Sequence, residues 1–220
     1  MEVIYLPVDE YGLVKEEEYK AALEKNPLLV SVMTANNEIG TVQDIKKLAA
    51  MAHEKGSLFH TDAVQAVGHI PVDVAALGVD LLSISAHKFA GPKGIGALYI
   101  RSGTHLNRYL FGGEQERGLR GGTTNVPCVV GLAEAYERNV GTMSASNEKI
   151  KRVSQLFLEG ISSLSGISIN GEGDKLPGIL NLRVKGVSNV DLLYKLDLKG
   201  VCVAVGSACA SGSIAPSHVL

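Results

Sequence analysis

Helix and strand signals alternate through the first part of the chain, its strand signals are short apolar runs, and the pattern changes after about residue 135. Together these predict an α/β fold. A mostly parallel sheet with flanking helices is expected over residues 1–140, followed by a smaller α+β domain over 141–220. Residues 15–25 are rich in Glu, Lys and Ala and read as a helix ending before Pro27. Residues 28–33 are an apolar run suited to a buried strand. Asn36-Asn37-Glu38-Ile39-Gly40 is then a loop. Ile45, Leu48, Ala49 and Ala52 recur at i, i+3, i+4 and i+7, one apolar helix face that Gly56 can stop. Further strands are expected at 58–60, 79–84 and 96–100. Their apolar character is that of strands buried on both faces. Beyond the change, 148–164 and 190–198 read as helices, and 166–169, 179–184 and 201–205 as strands. The boundary is placed in 139–146, where small and polar residues cluster.

Composition narrows the functional classes. The 220 residues are 45% apolar with a formal net charge of -2, an ordinary soluble composition. Charge this close to neutral gives no electrostatic reason to expect nucleic acid or an anionic membrane as a partner. No apolar run is long enough to span a bilayer, and the start shows no signal peptide. Three cysteines, an odd and sparse set, argue against a disulfide framework. They fit a reducing compartment, so a cytoplasmic location is expected. No CxxC or HExxH spacing marks a zinc site.

In parallel α/β sheets, ligands sit beyond the carboxyl ends of the strands. Residues 28–33 lead to Asn37, residues 58–59 to His60, Asp62 and Gln65, and residues 79–84 to Ser85, His87 and Lys88. Each group alone is weak evidence, since a lone Asp often caps a helix and a lone Lys is usually a solvated charge. Their convergence points to chemistry. Lys88 stands next to Phe89 and a glycine-bearing turn, where desolvation would make its amine a nucleophile towards an aldehyde. Pyridoxal phosphate is the common partner for such a lysine, and its ring nitrogen needs a carboxylate, which Asp62 can supply. Ser85 and His87 offer donors for its phosphate, and Gln65 and Asn37 for its phenolic oxygen. A metal site of His60, Asp62 and His87 is the rival reading, but it leaves Lys88 unused.

The cysteines separate by context. Cys202 lies in the apolar run 201–205 and is expected in a core strand. Cys128, at the start of an apolar helix, is also expected in a core. Cys209 sits in Gly206-Ser207-Ala208-Cys209-Ala210-Ser211-Gly212-Ser213, a run of small residues that would expose a thiol. A packing loop with an inert thiol is the alternative.

Several motifs carry a family resemblance. They are Ala35-Asn36-Asn37-Glu38-Ile39-Gly40, His60-Thr61-Asp62-Ala63-Val64-Gln65, Ser85-Ala86-His87-Lys88-Phe89-Ala90-Gly91-Pro92-Lys93-Gly94, Gln115-Glu116-Arg117-Gly118-Leu119-Arg120-Gly121-Gly122-Thr123 and Gly206-Ser207-Ala208-Cys209. In this order they resemble the cysteine desulfurases of the NifS and IscS type, within the class V aminotransferase superfamily. The resemblance implies the fold type I of pyridoxal-phosphate enzymes and conversion of L-cysteine to L-alanine. It implies Lys88 as the Schiff-base lysine, Asp62 on the pyridine nitrogen, and Gln65 and Asn37 on the ring oxygen. Ser85 and His87 would bind phosphate, with His60 near the ring. Thr123 would reach the phosphate of the other subunit of a homodimer. Cys209 would take the sulfur as a persulfide and pass it to an acceptor such as an iron–sulfur scaffold protein. Two departures stand out: Glu114 replaces a third glycine, and Ala204-Val205 replaces Ser-Ser. The family's N-terminal phosphate-binding Gly-Thr and ring-stacking histidine, and its C-terminal substrate-clamping arginine, are not among these residues. The expectation is therefore a fragment lacking both ends. Selenocysteine lyase and a non-catalytic, partner-binding remnant are the competing readings.

Overall fold

The computed structural model describes residues 2–171, 173–206, 217 and 219. The chain divides into two compact units, one of residues 23–34 and 44–143, the other of 1–22, 35–43 and 144–220. α1 (Glu16–Leu23) comes first in the chain. The first unit is built on a sheet of β1 (Leu29–Met33), β2 (Leu58–Asp62), β3 (Leu81–Ser85) and β4 (Gly96–Ile100), side by side in that order. β1, β2 and β3 run parallel, and β4 is antiparallel to β3.

α2 (Ile45–Glu54) and α3 (Val74–Leu77) provide the crossovers between the parallel strands. Asp44 starts α2 by accepting the Lys47 amide hydrogen at 3.0 Å, and Ile45, Leu48, Ala49 and Ala52 are buried as their spacing requires. Successive strand residues point to opposite faces. Val30, Val32, Phe59, Thr61 and Leu82 fall on a buried face. Ser31, His60, Asp62, Ser83 and Ser85 alternate with them onto the other, which also carries the buried Leu81. Burial on both faces, expected from the apolar runs, holds at Leu81 and Leu82, whereas His60, Asp62 and Ser83 make the second face polar and half-buried towards the strand ends.

The opposite ends of the strands are tied by Asp80, a 5%-exposed carboxylate just before β3. One of its oxygens accepts the Phe59 amide hydrogen at 2.8 Å and meets His53 Nε2 of α2 at 2.7 Å. The other lies 3.3 Å from Arg101, just after β4.

α4 (Val126–Ile161) is a single helix of 36 residues that runs unbroken through 139–146. The small and polar residues there are helical, not a loop. Their side chains bond back to the helix, Asn139 Nδ2 to the Ala135 carbonyl at 2.8 Å and Thr142 Oγ1 to the Arg138 carbonyl at 2.9 Å. One interior glycine, Gly141, costs only about 1 kcal/mol against alanine, too little to end so long a helix.

In the second unit β5 (Ile167–Asn170) pairs antiparallel with β6 (Asn181–Val184), and α5 (Asn189–Asp197) follows, capped by Ser188. Residues 35–43 join this unit through a bridge from Thr41 to Lys175 and a bond from the Leu176 amide to the Gly40 carbonyl. Residues 201–205 form no strand and Cys202 is exposed, which corrects the expected core strand. No neighbouring strand pairs with that run among the described residues. Cys128 is half-buried. No helix among the described residues is long and apolar enough to cross a membrane.

Replacing Asp80 by Ala leaves a buried amide hydrogen without an acceptor and Arg101 without its carboxylate. The expected cost is about 2–4 kcal/mol, read as a lower urea midpoint with an unchanged m-value. An unchanged midpoint would refute the tie.

Candidate active site

The end of β3 turns directly into the lysine. Ala86–Phe89 is one 3-10 turn, closed by bonds from the Ala90 and Gly91 amides to the Ala86 carbonyl. Ala90 adopts a left-handed φ of 62°, and a Cβ at Gly91 would lie 2.8 Å from that of Ala86. Phe89 is buried, its ring meeting Tyr136 of α4 edge-on at 6.4 Å. Two distant side chains hold the turn by its backbone. His69 Nε2 donates to the Lys88 carbonyl at 3.0 Å, and Asn139 Nδ2 donates to the Phe89 carbonyl at 2.7 Å. Lys88 itself is half-buried, and its amine makes no hydrogen bond or ion pair among the described residues. Beside it, Ser85 Oγ and His87 Nδ1 are 2.9 Å apart.

On the neighbouring strand, Asp62 Oδ1 accepts the Val64 amide hydrogen at 2.8 Å. This fixes the carboxylate at the head of the turn carrying half-buried Gln65. The other Asp62 oxygen and the Gln65 amide have no hydrogen bond among the described residues. Asp62 pairs in register with Met33 on one side and Ser83 on the other.

His60, two residues earlier on the same face, is held at both ring nitrogens. Ser31 Oγ lies 2.7 Å from Nδ1 and Ser83 Oγ 2.8 Å from Nε2. The result is a polar row across β1, β2 and β3. Burial holds the His60 imidazole below its ordinary pKa, and the nearby Asp62 charge offsets part of that effect. A neutral ring donates at one nitrogen and accepts at the other, so one serine gives the row its hydrogen and the other takes one. No group of three potential metal ligands assembles among the described residues, so the His60–Asp62–His87 metal reading has no ligand set there.

Ser85, His87 and Lys88 thus share one turn, and His60 and Asp62 share the polar sheet face. Thr123 is exposed on a separate loop of the same unit. Asn37 belongs to the second unit, in a turn whose shape Asn36 sets by accepting the Glu38 and Ile39 amide hydrogens. Cys209 lies outside the described residues. Sequence reasoning missed Ser31, Ser83, His69 and Asn139. The two serines were visible in the alternation of the strands. His69 and Asn139 lie 19 and 50 residues from the carbonyls they hold, and nothing local marks them.

The aminotransferase class-V family profile matches residues 1–219. The cysteine desulfurase IscS of Dictyoglomus turgidum is 48% identical over all of this chain and 56% of its own length. That of Methanosarcina thermophila is 46% identical over all of this chain and 54% of its own length. The solved structure of a NifS-like protein from Rickettsia africae superposes with a TM-score of 0.87 at 30% identity, covering 92% of this chain and 57% of that one. The chain thus spans about half the length of the curated relatives it matches.

The His60 environment makes a pH prediction. The folded chain protonates this ring less readily than the unfolded chain, whose value is near 6.5. The contribution to stability is complete above that value and is lost as pH falls below it, towards the lowered folded pKa. Between about pH 7 and about pH 5.5 the urea midpoint of the wild type should fall more steeply than that of His60→Gln. Parallel slopes would show that His60 titrates freely.

Proposed function

The chain belongs to the aminotransferase class-V family, and from that premise we propose that it carries the lysine and cysteine machinery of a pyridoxal-phosphate-dependent cysteine desulfurase. The observation that carries this reading is the Lys88 turn, held through its carbonyls by His69 and Asn139 while the amine itself has no hydrogen bond or ion pair among the described residues. A lysine held this way can react without being consumed as a structural cation.

The donor set fits the cofactor. Lys88 offers the amine for its aldehyde and Asp62 a carboxylate oxygen for its ring nitrogen. Gln65 offers an amide for the ring oxygen, and Ser85 and His87 offer donors for the phosphate. When bound, pyridoxal phosphate supplies an electron sink that makes the carbon–sulfur bond of cysteine breakable. Asp62 would hold a proton on the ring nitrogen, and the Ser31–His60–Ser83 row makes the sheet face that Asp62 shares polar and neutral. The Lys88 amine takes and returns protons at the substrate carbons. The Cys209 thiolate would attack the substrate sulfur as its bond to carbon breaks; the electron pair stays on the carbon side, that carbon takes a proton from Lys88 to give alanine, and Cys209 keeps the sulfur as a persulfide. The reading of Cys209 rests on its sequence and on the relatives named cysteine desulfurase. The role of Asn37 on the ring oxygen, and that of Thr123 on the phosphate of a homodimer partner, rest on the resemblance of their motifs. L-cysteine is the substrate, a sulfur-acceptor protein such as an iron–sulfur scaffold is the recipient, and the cytoplasm is the location in this reading. The activity is proposed for a protein of the relatives' full length, of which this chain matches 56% in the first.

Incubation with pyridoxal phosphate should turn the protein yellow, and borohydride should then fix the pyridoxyl group on Lys88. Lys88→Ala should lose the label while keeping the fold, because the turn is held by carbonyls. Cys209→Ala should keep the colour and lose the persulfide formed from cysteine. A protein of the relatives' full length that stays colourless, or label elsewhere than Lys88, would overturn the assignment.

A further inference from the structure

The loop before α4 carries Thr123 and is built against its own backbone preference. Glu116, Arg117 and Gly118 take successive φ values of 50°, 58° and 78°. For the two non-glycine residues this left-handed conformation is disfavoured, because it brings the Cβ too close to the following carbonyl oxygen. The backbones of Gly112 and Gly121 also pass so closely that a Cβ on Gly121 would lie 2.8 Å from the Gly112 Cα. Such a loop needs an outside hold.

Arg108 supplies it. Its Nε donates to the Gly118 carbonyl, at the end of the left-handed stretch, and its Nη1 donates to the Gly112 carbonyl at 3.3 Å. Its Nη2 lies 3.1 Å from both oxygens of Glu114. One planar guanidinium therefore reaches three places in the loop, a task its fork of donors suits and a lysine's point charge does not. The far side closes by the Gly121 amide on the Leu110 carbonyl at 3.0 Å and the Gly122 amide on Gln115 Oε1 at 3.1 Å. Thr123 is the next residue. Glu114 stands where the resembling family has a third glycine, and here it is the counter-ion of Arg108. Its side chain is 85% exposed, so the ion pair itself adds little. The hold lies in the bonds from Arg108 to the two carbonyls.

We propose that Arg108 is a positioning residue, fixing the 108–122 loop in its strained form and thereby fixing where Thr123 stands. What Thr123 meets there, the phosphate of a cofactor, rests on the function proposed above; the hold itself does not.

Amide hydrogen exchange of the 220-residue chain, read at Gly118 and Gly121, tests the hold. Arg108→Ala should speed both amides about tenfold or more, leaving sheet amides such as Thr61 and Leu82 unchanged. Arg108→Lys should restore only part of the protection, and Glu114→Ala should change it less than about threefold. Equal exchange in Arg108→Ala and wild type, or equal loss across the sheet, overturns the proposal. The second reading is the preference for pyridoxal phosphate over pyridoxal, titrated by absorbance. It should fall about tenfold in Arg108→Ala with pyridoxal affinity unchanged, the loss of one charge-assisted hydrogen bond. A preference that is intact in Arg108→Ala although the loop has loosened overturns the link to Thr123. A wild type with no such preference overturns the phosphate reading of Thr123, Ser85 and His87 alike, and the exchange rates still decide Arg108.

Discussion

Every strand residue must face one side of its sheet or the other, and that constraint organises this molecule. Phe59 and Thr61 are fully buried on one side. His60 and Asp62, interleaved with them, therefore have to face the other. The parallel register then brings Ser31 and Ser83 level with that same face, and their hydroxyls close on the two nitrogens of His60. A slip of one residue would bury the carboxylate and expose the phenylalanine. Asp80, gripping β2, α2 and the end of β4 from the opposite edge, opposes such a slip.

The strand ends use this frame differently. Asp62 is immobilised through one oxygen, which its own turn requires, and the other has no hydrogen bond among the described residues. Lys88 is immobilised through its carbonyl, and its amine has none among them either. Both put the structural task on atoms that the proposed chemistry does not need. The family profile over residues 1–219 gives this division of labour its context.

Much of this was legible in the sequence because it is local. The spacing of Ile45, Leu48, Ala49 and Ala52 predicts the buried helix face that the structure shows. The residues after each apolar run are those found at the strand ends. Other features depended on contacts that no window contains. The strands looked buried on both faces because Val30, Val32, Phe59 and Leu82 dominate them, while the intervening serines and histidine read as interruptions. Residues 139–146 stood out only as a cluster of small and polar residues, because helical back-bonds such as that of Asn139 are invisible to composition. Cys202 looked like core because an apolar run needs a partner strand to become one, and none pairs with it among the described residues. The lysine was found by its motif, yet the residues that steady it lie far along the chain.

The grip on the Lys88 turn has a consequence for how this site can change over generations. His69 and Asn139 recognise only main-chain oxygens, which every amino acid carries. The turn is therefore indifferent to the identity of residue 88, and mutation there alters reactivity without first paying in foldability. A scaffold of this kind separates the inheritance of shape from the inheritance of chemistry. The same turn could present a different head group at the same strand end, so what the residue at 88 does is independent of what holds it there.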